Sequence, residues 1–271
     1  MDHWVGFDAW LRVLVGRAKR MALAGPPGLA EAVGHKLSAY TWDLVDRYED
    51  DLVLDLVELV APDRVRRARF RLLTGFARED GGEADAPGGL VADTPAFTVR
   101  AVALEHHGPS LAYALEERTH VNVRRNRVEE RGLAVGAWLK PLKEAVRDGL
   151  PHDHPITLPD GTAAPLGSLR DLLSVEPGQK FAYATDLRDT PANRAALADL
   201  ARDADTLWIE SAFAAANAER ARDRAHLTTT AAGGIARAAG VRRVEPFHFS
   251  PRYEGEEERM LAEVAAAFSG R

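Results

Sequence analysis

The chain has 271 residues, of which 46% are hydrophobic and 28% charged, a composition typical of a globular protein with one large domain or two small ones. It has no cysteine, which excludes disulfide scaffolds, thiolate zinc sites and cysteine nucleophiles. Its formal charge of -6 excludes a polycation that coats nucleic acid. No apolar run reaches the roughly 20 residues that span a bilayer, and the first residues lack the features of a secretory signal. We therefore expect a cytoplasmic protein without a membrane partner.

The first half of the chain predicts helices and strands in alternation. In chain order, apolar periodicity predicts a helix, a strand, a helix and two paired strands, at residues 5–16, 21–24, 29–40, 52–60 and 68–73. The run Gly25-Pro26-Pro27-Gly28 ends the first strand. Residues 78–95 are polar and rich in Gly, Asp and Pro, so we interpret them as a loop.

The second half is more regular. Strands are predicted at 97–104, 111–115, 180–184, 206–209 and 241–247, with a hairpin over 156–163 that turns at Asp160-Gly161. Helices are predicted at 135–147, 191–202, 228–239 and 254–268. Thr190 before Pro191 is typical of a helix N-cap, and Gly240 of a helix end. The alternation favours an α/β fold of layered sheets and helices, in one domain over residues 1–271.

Four of the predicted strands lead directly into residue types that bind metals. These residues are His106, Asp186, Glu210 and His248. In layered α/β folds, the carboxyl ends of strands are where loops converge on a ligand. Imidazole and carboxylate without thiolate suit a catalytic Zn, Mn or Fe site. Polar residues also cap strands for no functional reason, but four in succession favour a metal site.

Three stretches of this chain follow one another in a specific order. They are residues 103–117 with Leu-Glu-His106, residues 183–186 with Asp186, and residues 208–253, which run from Glu210 through His226-Leu-Thr228 to His248-Phe-Ser250-Pro-Arg252-Tyr253. They resemble motifs of the metallo-β-lactamase superfamily and, within it, the ribonuclease Z family. The resemblance covers nearly the whole chain. It implies an αββα sandwich and a metal-dependent phosphodiester hydrolase that processes the 3′ side of tRNA precursors.

The start of the chain matches only the end of the family's His-x-His-x-Asp-His signature, through Asp2 and His3. The first two histidines and the strands before them, roughly 50–60 residues, are absent. We therefore expect an αββα sandwich that lacks its first strand block, and we interpret Met1 as an internal methionine rather than a natural start. On this interpretation we expect the chain to bind at most one metal ion, and only weakly, and to be poorly soluble. Its activity is left open.

The resemblance also implies a role for each motif residue. The metal ligands would be Asp2, His3, His106, Asp186 and His248. Asp186 would bridge two zinc ions, with manganese or iron as alternatives, and Asp2 would orient the nucleophile.

The remaining motif residues would serve the reaction itself. His226 would protonate the leaving oxygen while Glu210 holds its ring, and Ser250 and Arg252 would contact the phosphate. Ile209 stands where the family has histidine, which removes one supporting contact. The pair His152 and His154 has metal-ligand spacing but no following Asp-His, and we exclude it as a ligand pair.

The identity of the substrate is less well defined by the sequence. Arginines cluster at residues 64–71 and 118–131, and the second cluster lies where the family carries an arm that binds tRNA. Basic clusters are more often solvated faces, so three interpretations stay open. The substrate is a tRNA precursor, or a small phosphodiester such as a cyclic nucleotide or another ester, or the chain is a non-catalytic remnant. A homodimer is expected from the resemblance.

Overall fold

The computed structural model describes residues 2–270, with side chains from residue 3 onward. The strands are β1 (Lys19–Gly25), β2 (Leu52–Ala61), β3 (Arg64–Arg71), β4 (Arg78–Asp85), β5 (Leu90–Asp93), β6 (Phe97–Glu105), β7 (Pro109–Glu117), β8 (His120–Val123), β9 (Pro155–Thr157), β10 (Ala163–Pro165), β11 (Leu173–Glu176), β12 (Lys180–Ala184), β13 (Thr206–Glu210) and β14 (Arg243–Phe247). The α-helices are α1 (Phe7–Leu14), α2 (Leu29–Ser38), α3 (Arg125–Glu130), α4 (Leu139–Arg147), α5 (Leu166–Leu169), α6 (Pro191–Leu200), α7 (Ala218–Asp223), α8 (Thr229–Ala239) and α9 (Glu257–Ser269).

The described chain divides into two compact units. The first comprises residues 2–94, 98–115 and 180–270, and the second comprises residues 95–97 and 116–179. No helix within residues 2–270 combines the length and the apolarity that crossing a bilayer requires.

The first unit contains two sheets. One has the strand order β1-β2-β3-β4, in which β1 and β2 are parallel and the other neighbours are antiparallel. The other has the order β14-β13-β12-β7-β6-β5, in which β12, β13 and β14 run parallel. Parallel neighbours need a crossover connection, and α2, α6 and α8 provide these connections.

Alternate side chains of β2 lie in two different cores. Leu56 packs in a cluster with residues of α1 and α2, whereas Val57 and Leu59 pack in a cluster with Leu111 of β7. On the far side of the six-stranded sheet, Ile209 lies in a third cluster with residues of α6 and α8. The layers are therefore helix, sheet, sheet and helix, which is the αββα sandwich that the sequence predicts.

A buried carboxylate fixes the start of α2. Gly28, the residue before the helix, has no side chain to accept hydrogen bonds from the first backbone N–H groups. Glu58 of β2 accepts them instead, from Gly28 at 3.0 Å and from Ala30 at 2.9 Å. This contact locks α2 onto the parallel pair β1–β2.

The second unit is small and has its own core. Leu142 of α4, Leu169 of α5 and Val121 of β8 are buried together. Strand β9 pairs antiparallel with β10 across the predicted Asp160-Gly161 turn, and β8 pairs antiparallel with β11.

The interpretation of residues 78–95 as a loop is wrong, because this stretch forms β4 and β5. Strand β4 is almost entirely exposed, so it has no apolar alternation for a sequence pattern to detect. Its partner β3 holds it by backbone pairing and by ion pairs such as Arg66 with Glu83 at 2.9 Å. The sequence patterns miss such a strand because cross-strand charge pairs, not burial, define it.

Candidate metal centre

The ends of three parallel strands deliver the acidic and imidazole groups of the first unit to one place. Asp186 follows β12, Glu210 ends β13, and His248 follows β14. Since the strands are parallel and adjacent, their carboxyl ends lie at the same sheet edge. The pattern of strand ends in the sequence therefore corresponds to a shared location in the fold.

Asp186 is the centre of this cluster. One of its carboxylate oxygens lies 2.6 Å from Nε2 of His3. The other lies 3.4 Å from Nδ1 of His248 and 3.9 Å from Nδ1 of His226. A carboxylate with imidazoles beside both of its oxygens is an arrangement typical of a cation site, because carboxylate oxygens and imidazole nitrogens are donors that divalent metals bind.

Glu210 is fully buried and holds His226. Its Oε2 lies 2.9 Å from Nδ1 of His226, and its Oε1 accepts a hydrogen bond from the Leu187 N–H at 2.7 Å. The hydrogen bond to Glu210 raises the pKa of His226 above the ordinary value of an imidazole, against the opposing effect of burial. Glu210 therefore both orients the ring and favours its protonated form.

His106 is oriented by a backbone carbonyl. Its Nδ1 lies 2.9 Å from the oxygen of Ala225, which leaves Nε2 free to bind a metal. The His106 ring lies 4.9 Å from the His226 ring, measured between centroids. The position of His106 is thus set by the loop that also carries His226.

Asn193 ties the two ligand-bearing loops together. Its side-chain oxygen accepts from the Glu105 N–H at 3.0 Å, and its amide nitrogen donates to the carbonyls of Glu105 at 2.9 Å and Arg188 at 2.8 Å. Glu105 precedes His106, and Arg188 follows Asp186 by two residues. A single buried amide therefore couples the positions of both ligand candidates.

The backbone is left-handed at three residues of this region. Asp186, Ala225 and His248 have φ angles of 53°, 59° and 61°. Residues with a side chain seldom adopt this conformation, and it is enriched at functional sites, where surrounding structure compensates its cost. Here it turns Asp186 and His248 sharply at the ends of their strands.

The donors fit a divalent metal ion by chemistry and by spacing. His106, Asp186 and His226 each offer a ligand atom within 4.8 Å of the others, and so do Glu210, His226 and His248. Nitrogen and carboxylate donors in this mixture suit zinc, manganese or iron.

Most of the residues singled out in the sequence meet here. The cluster unites His3, His106, Asp186, Glu210, His226 and His248. Ser250 and Arg252 line an adjoining cavity of about 340 Å³ together with His226 and His248. The side chain of Asp2 lies outside the described residues. His152 and His154 belong to the second unit.

Sequence reasoning missed the residues that hold the cluster in place. Asn193, the Ala225 carbonyl and the Leu187 N–H act through backbone geometry. The one available signal was Thr190 before Pro191, which predicts the helix that carries Asn193, and the Thr190 side chain does accept from the Asn193 N–H at 3.1 Å.

The first arginine cluster is largely neutralised. Four of its arginines pair with carboxylates of the same sheet or of the residue just before β2, namely Arg64 with Glu83 and Asp85, Arg66 with Glu58 and Glu83, Arg69 with Asp55, and Arg71 with Asp51. In the second unit, Arg127 pairs with Glu130 and Arg131 with Asp171. These charges mainly stabilise their own surroundings.

Comparisons with known proteins bear on this arrangement. No protein-family model matches the chain. The ribonuclease Z of Deinococcus radiodurans is 34% identical over 269 residues, which is 98% of this chain and 78% of that protein. The ribonuclease Z of Thermobifida fusca is 38% identical over 208 residues, which is 74% of this chain and 60% of that protein. The metallo-β-lactamase fold protein YhfI from Bacillus subtilis superposes with a TM-score of 0.51 over 99% of this chain and 67% of its own, at 13% identity.

The layers and the structural likeness to YhfI define the class, a protein of the metallo-β-lactamase fold. Within that class, the similarity to the Deinococcus protein shows that the chain belongs to the ribonuclease Z family. It is accordingly a metal-dependent hydrolase of the ribonuclease Z type, for which the family implies a divalent metal. The predicted fold class, family and enzyme class are confirmed.

Proposed function

We propose that this chain hydrolyses the phosphodiester on the 3′ side of tRNA precursors and uses zinc. The observation that supports it best is one carboxylate, Asp186, within 3.9 Å of three imidazoles, beside a cavity lined by Ser250 and Arg252. Cation-binding and phosphate-binding groups side by side suit phosphodiester hydrolysis. The names of the two relatives support ribonuclease activity.

The metal would be held by the residues that the resemblance assigns. These are Asp2, His3, His106, Asp186 and His248. When bound, a metal ion would stabilise negative charge on the phosphate and lower the pKa of an attacking water.

His226 supplies the proton for the leaving oxygen. Its Nδ1 is engaged by Glu210, so its Nε2 carries the proton that is transferred as the phosphorus–oxygen bond breaks. Because the Glu210 hydrogen bond raises the pKa of His226, the imidazolium form persists to higher pH than it would for a free histidine.

Arg252 and Ser250 hold the phosphate. The Arg252 guanidinium lies 5.8 Å from the centroid of the Phe213 ring and 6.0 Å from that of Tyr253, and these contacts restrict its orientation. A planar guanidinium binds two phosphate oxygens at once, which fixes the phosphate relative to the cluster.

The test is cleavage of a tRNA precursor that carries a 3′ trailer, with zinc added and with chelator as a blank. We expect a cut at the 3′ side of the tRNA body and loss of activity in Asp186→Asn. Hydrolysis of bis(p-nitrophenyl) phosphate or of a cyclic nucleotide without any cut in the precursor would favour the small-phosphodiester alternative. Elemental analysis of the active protein distinguishes zinc from manganese and iron.

Two further parts of the proposal follow from the family resemblance. We propose a homodimer, which sedimentation equilibrium would test by the molar mass in solution. We also propose a cytoplasmic location, which cell fractionation would test.

A further inference from the structure

The cavity beside the metal centre is larger than one phosphate needs. Its volume of about 340 Å³ corresponds to roughly ten water molecules at their liquid volume. Ser250 and Arg252 lie on its wall with His226 and His248, and so do two arginines that no motif includes, Arg220 and Arg224.

Arg220 lies in α7, and Arg224 is the residue that follows the last residue of this helix. They are four residues apart, and the Arg224 N–H donates to the Arg220 carbonyl at 3.1 Å, so the helical spacing extends across both. The buried Ala221 and Ala225 anchor the segment. Arg222 lies between the two in sequence and does not line the cavity, because residues two apart on a helix face different directions.

Charge distinguishes these arginines from those of β3. Among residues 3–270, Arg220, Arg224 and Arg252 form no ion pair with a carboxylate, although all three line one cavity. Most arginines of β3 contrast with them, since Arg66, Arg69 and Arg71 pair with acidic residues, as does Arg64, whereas Arg67 forms no ion pair among the described residues. Three unpaired guanidinium groups around one cavity repel each other unless an anion joins them.

We propose that Arg220 and Arg224 form a second phosphate subsite, which binds the phosphate next to the one that is cleaved. Arg252 and Ser250 bind the reacting phosphate. Arg220 and Arg224 bind the next phosphate along the RNA. The subsite rests on the proposed function for its role, and it selects polymeric RNA over phosphodiesters with a single phosphate.

The test measures RNA binding, independently of cleavage. A fluorescein-labelled single-stranded RNA of twelve nucleotides is titrated with the zinc-loaded protein at several salt concentrations. We expect the double variant R220A/R224A to bind about tenfold more weakly or worse. The magnitude of its slope of log affinity against log salt should fall by about 0.7, because one phosphate of the RNA is no longer neutralised.

Two matched variants control for general charge and for folding. R222A removes one positive charge from the same helix and is expected to keep the wild-type slope. R220K/R224K keeps both charges and is expected to restore most of the slope. The proposal is overturned if R220A/R224A has the same affinity and slope as R222A, or if R222A has the lower slope as well.

The outcome separates this proposal from the proposed function. If the wild type does not cut the tRNA precursor but the slopes differ as expected, the subsite stands and the tRNA-processing role fails. If the wild type cuts the precursor and the slopes are equal, the role stands and the subsite fails.

Discussion

Asp186 shows how one residue can organise a site. Its carboxylate contacts His3, His226 and His248, and its left-handed backbone turns it out of β12 at the point where these imidazoles converge. Asn193 then fixes the loop behind it through the Arg188 carbonyl. The geometry depends on backbone hydrogen bonds as much as on the ligands themselves.

His226 is the residue whose role is most open to direct test. We expect His226→Ala to reduce cleavage of a tRNA precursor about a hundredfold or more, because the leaving oxygen loses its proton donor. Metal content should stay unchanged, since the proposed ligands His3, His106, Asp186 and His248 remain. Cleavage kinetics and elemental analysis of the same preparation measure both quantities.

His152→Ala is a suitable control for this experiment, since it removes an imidazole from the second unit. It should leave cleavage and metal content as in the wild type. An equal loss of metal and of turnover in His226→Ala would instead identify His226 as a metal ligand. The distance of 3.9 Å between Nδ1 of His226 and a carboxylate oxygen of Asp186 also permits that role.

At the scale of elements, the parallel strands β12, β13 and β14 position the site, and the helices packed on them support the strands.

Helix α9 packs closely on α8 at Gly233. A Cβ added at Gly233 would lie 2.5 Å from the Val264 carbonyl oxygen and 2.7 Å from the Ala267 Cβ. Only glycine, which has no Cβ, allows the two helices to approach this closely.

We therefore expect Gly233→Ala to destabilise the protein by about 1–3 kcal/mol, the usual cost of overpacking. Urea unfolding followed by circular dichroism measures the loss as a lower midpoint. Gly234→Ala is the matched control, because no atom lies within 4 Å of its added Cβ. It should be neutral or stabilise by up to about 1 kcal/mol, since alanine favours helix over glycine. Equal midpoints for the two variants would contradict the packing argument.

At the scale of the whole molecule, the metal centre links distant parts of the first unit. Its donors come from the start of the chain at His3 to His248, near the end. Only the folded chain brings them together, so a metal bound there stabilises the fold by mass action.

Zinc should therefore raise the melting temperature, and chelator should reverse the rise. At a free zinc concentration one hundred times Kd, the gain in the free energy of unfolding is about 2.7 kcal/mol. Differential scanning calorimetry of wild type, Asp186→Asn and His152→Asn provides the test. The Asp186 variant should lose most of the rise and the His152 variant should keep it. The opposite pattern would place the bound metal at the His152–His154 pair.

Sequence patterns alone determined much of this protein. The apolar periodicity predicts most helices and buried strands, and Gly240 ends α8 with a left-handed φ of 67° as expected. The succession of strands that lead into His106, Asp186, Glu210 and His248 indicates the metal centre, because apolar runs mark where each strand lies along the chain.

Only the tertiary structure decided the rest. Strand β4 is held by charge pairs with β3, and Asn193 and the Ala225 carbonyl contact Glu105 and His106 from segments 88 and 119 residues away in sequence. Such contacts leave no periodic pattern along the chain, because each is one hydrogen bond or one charge between residues far apart in sequence.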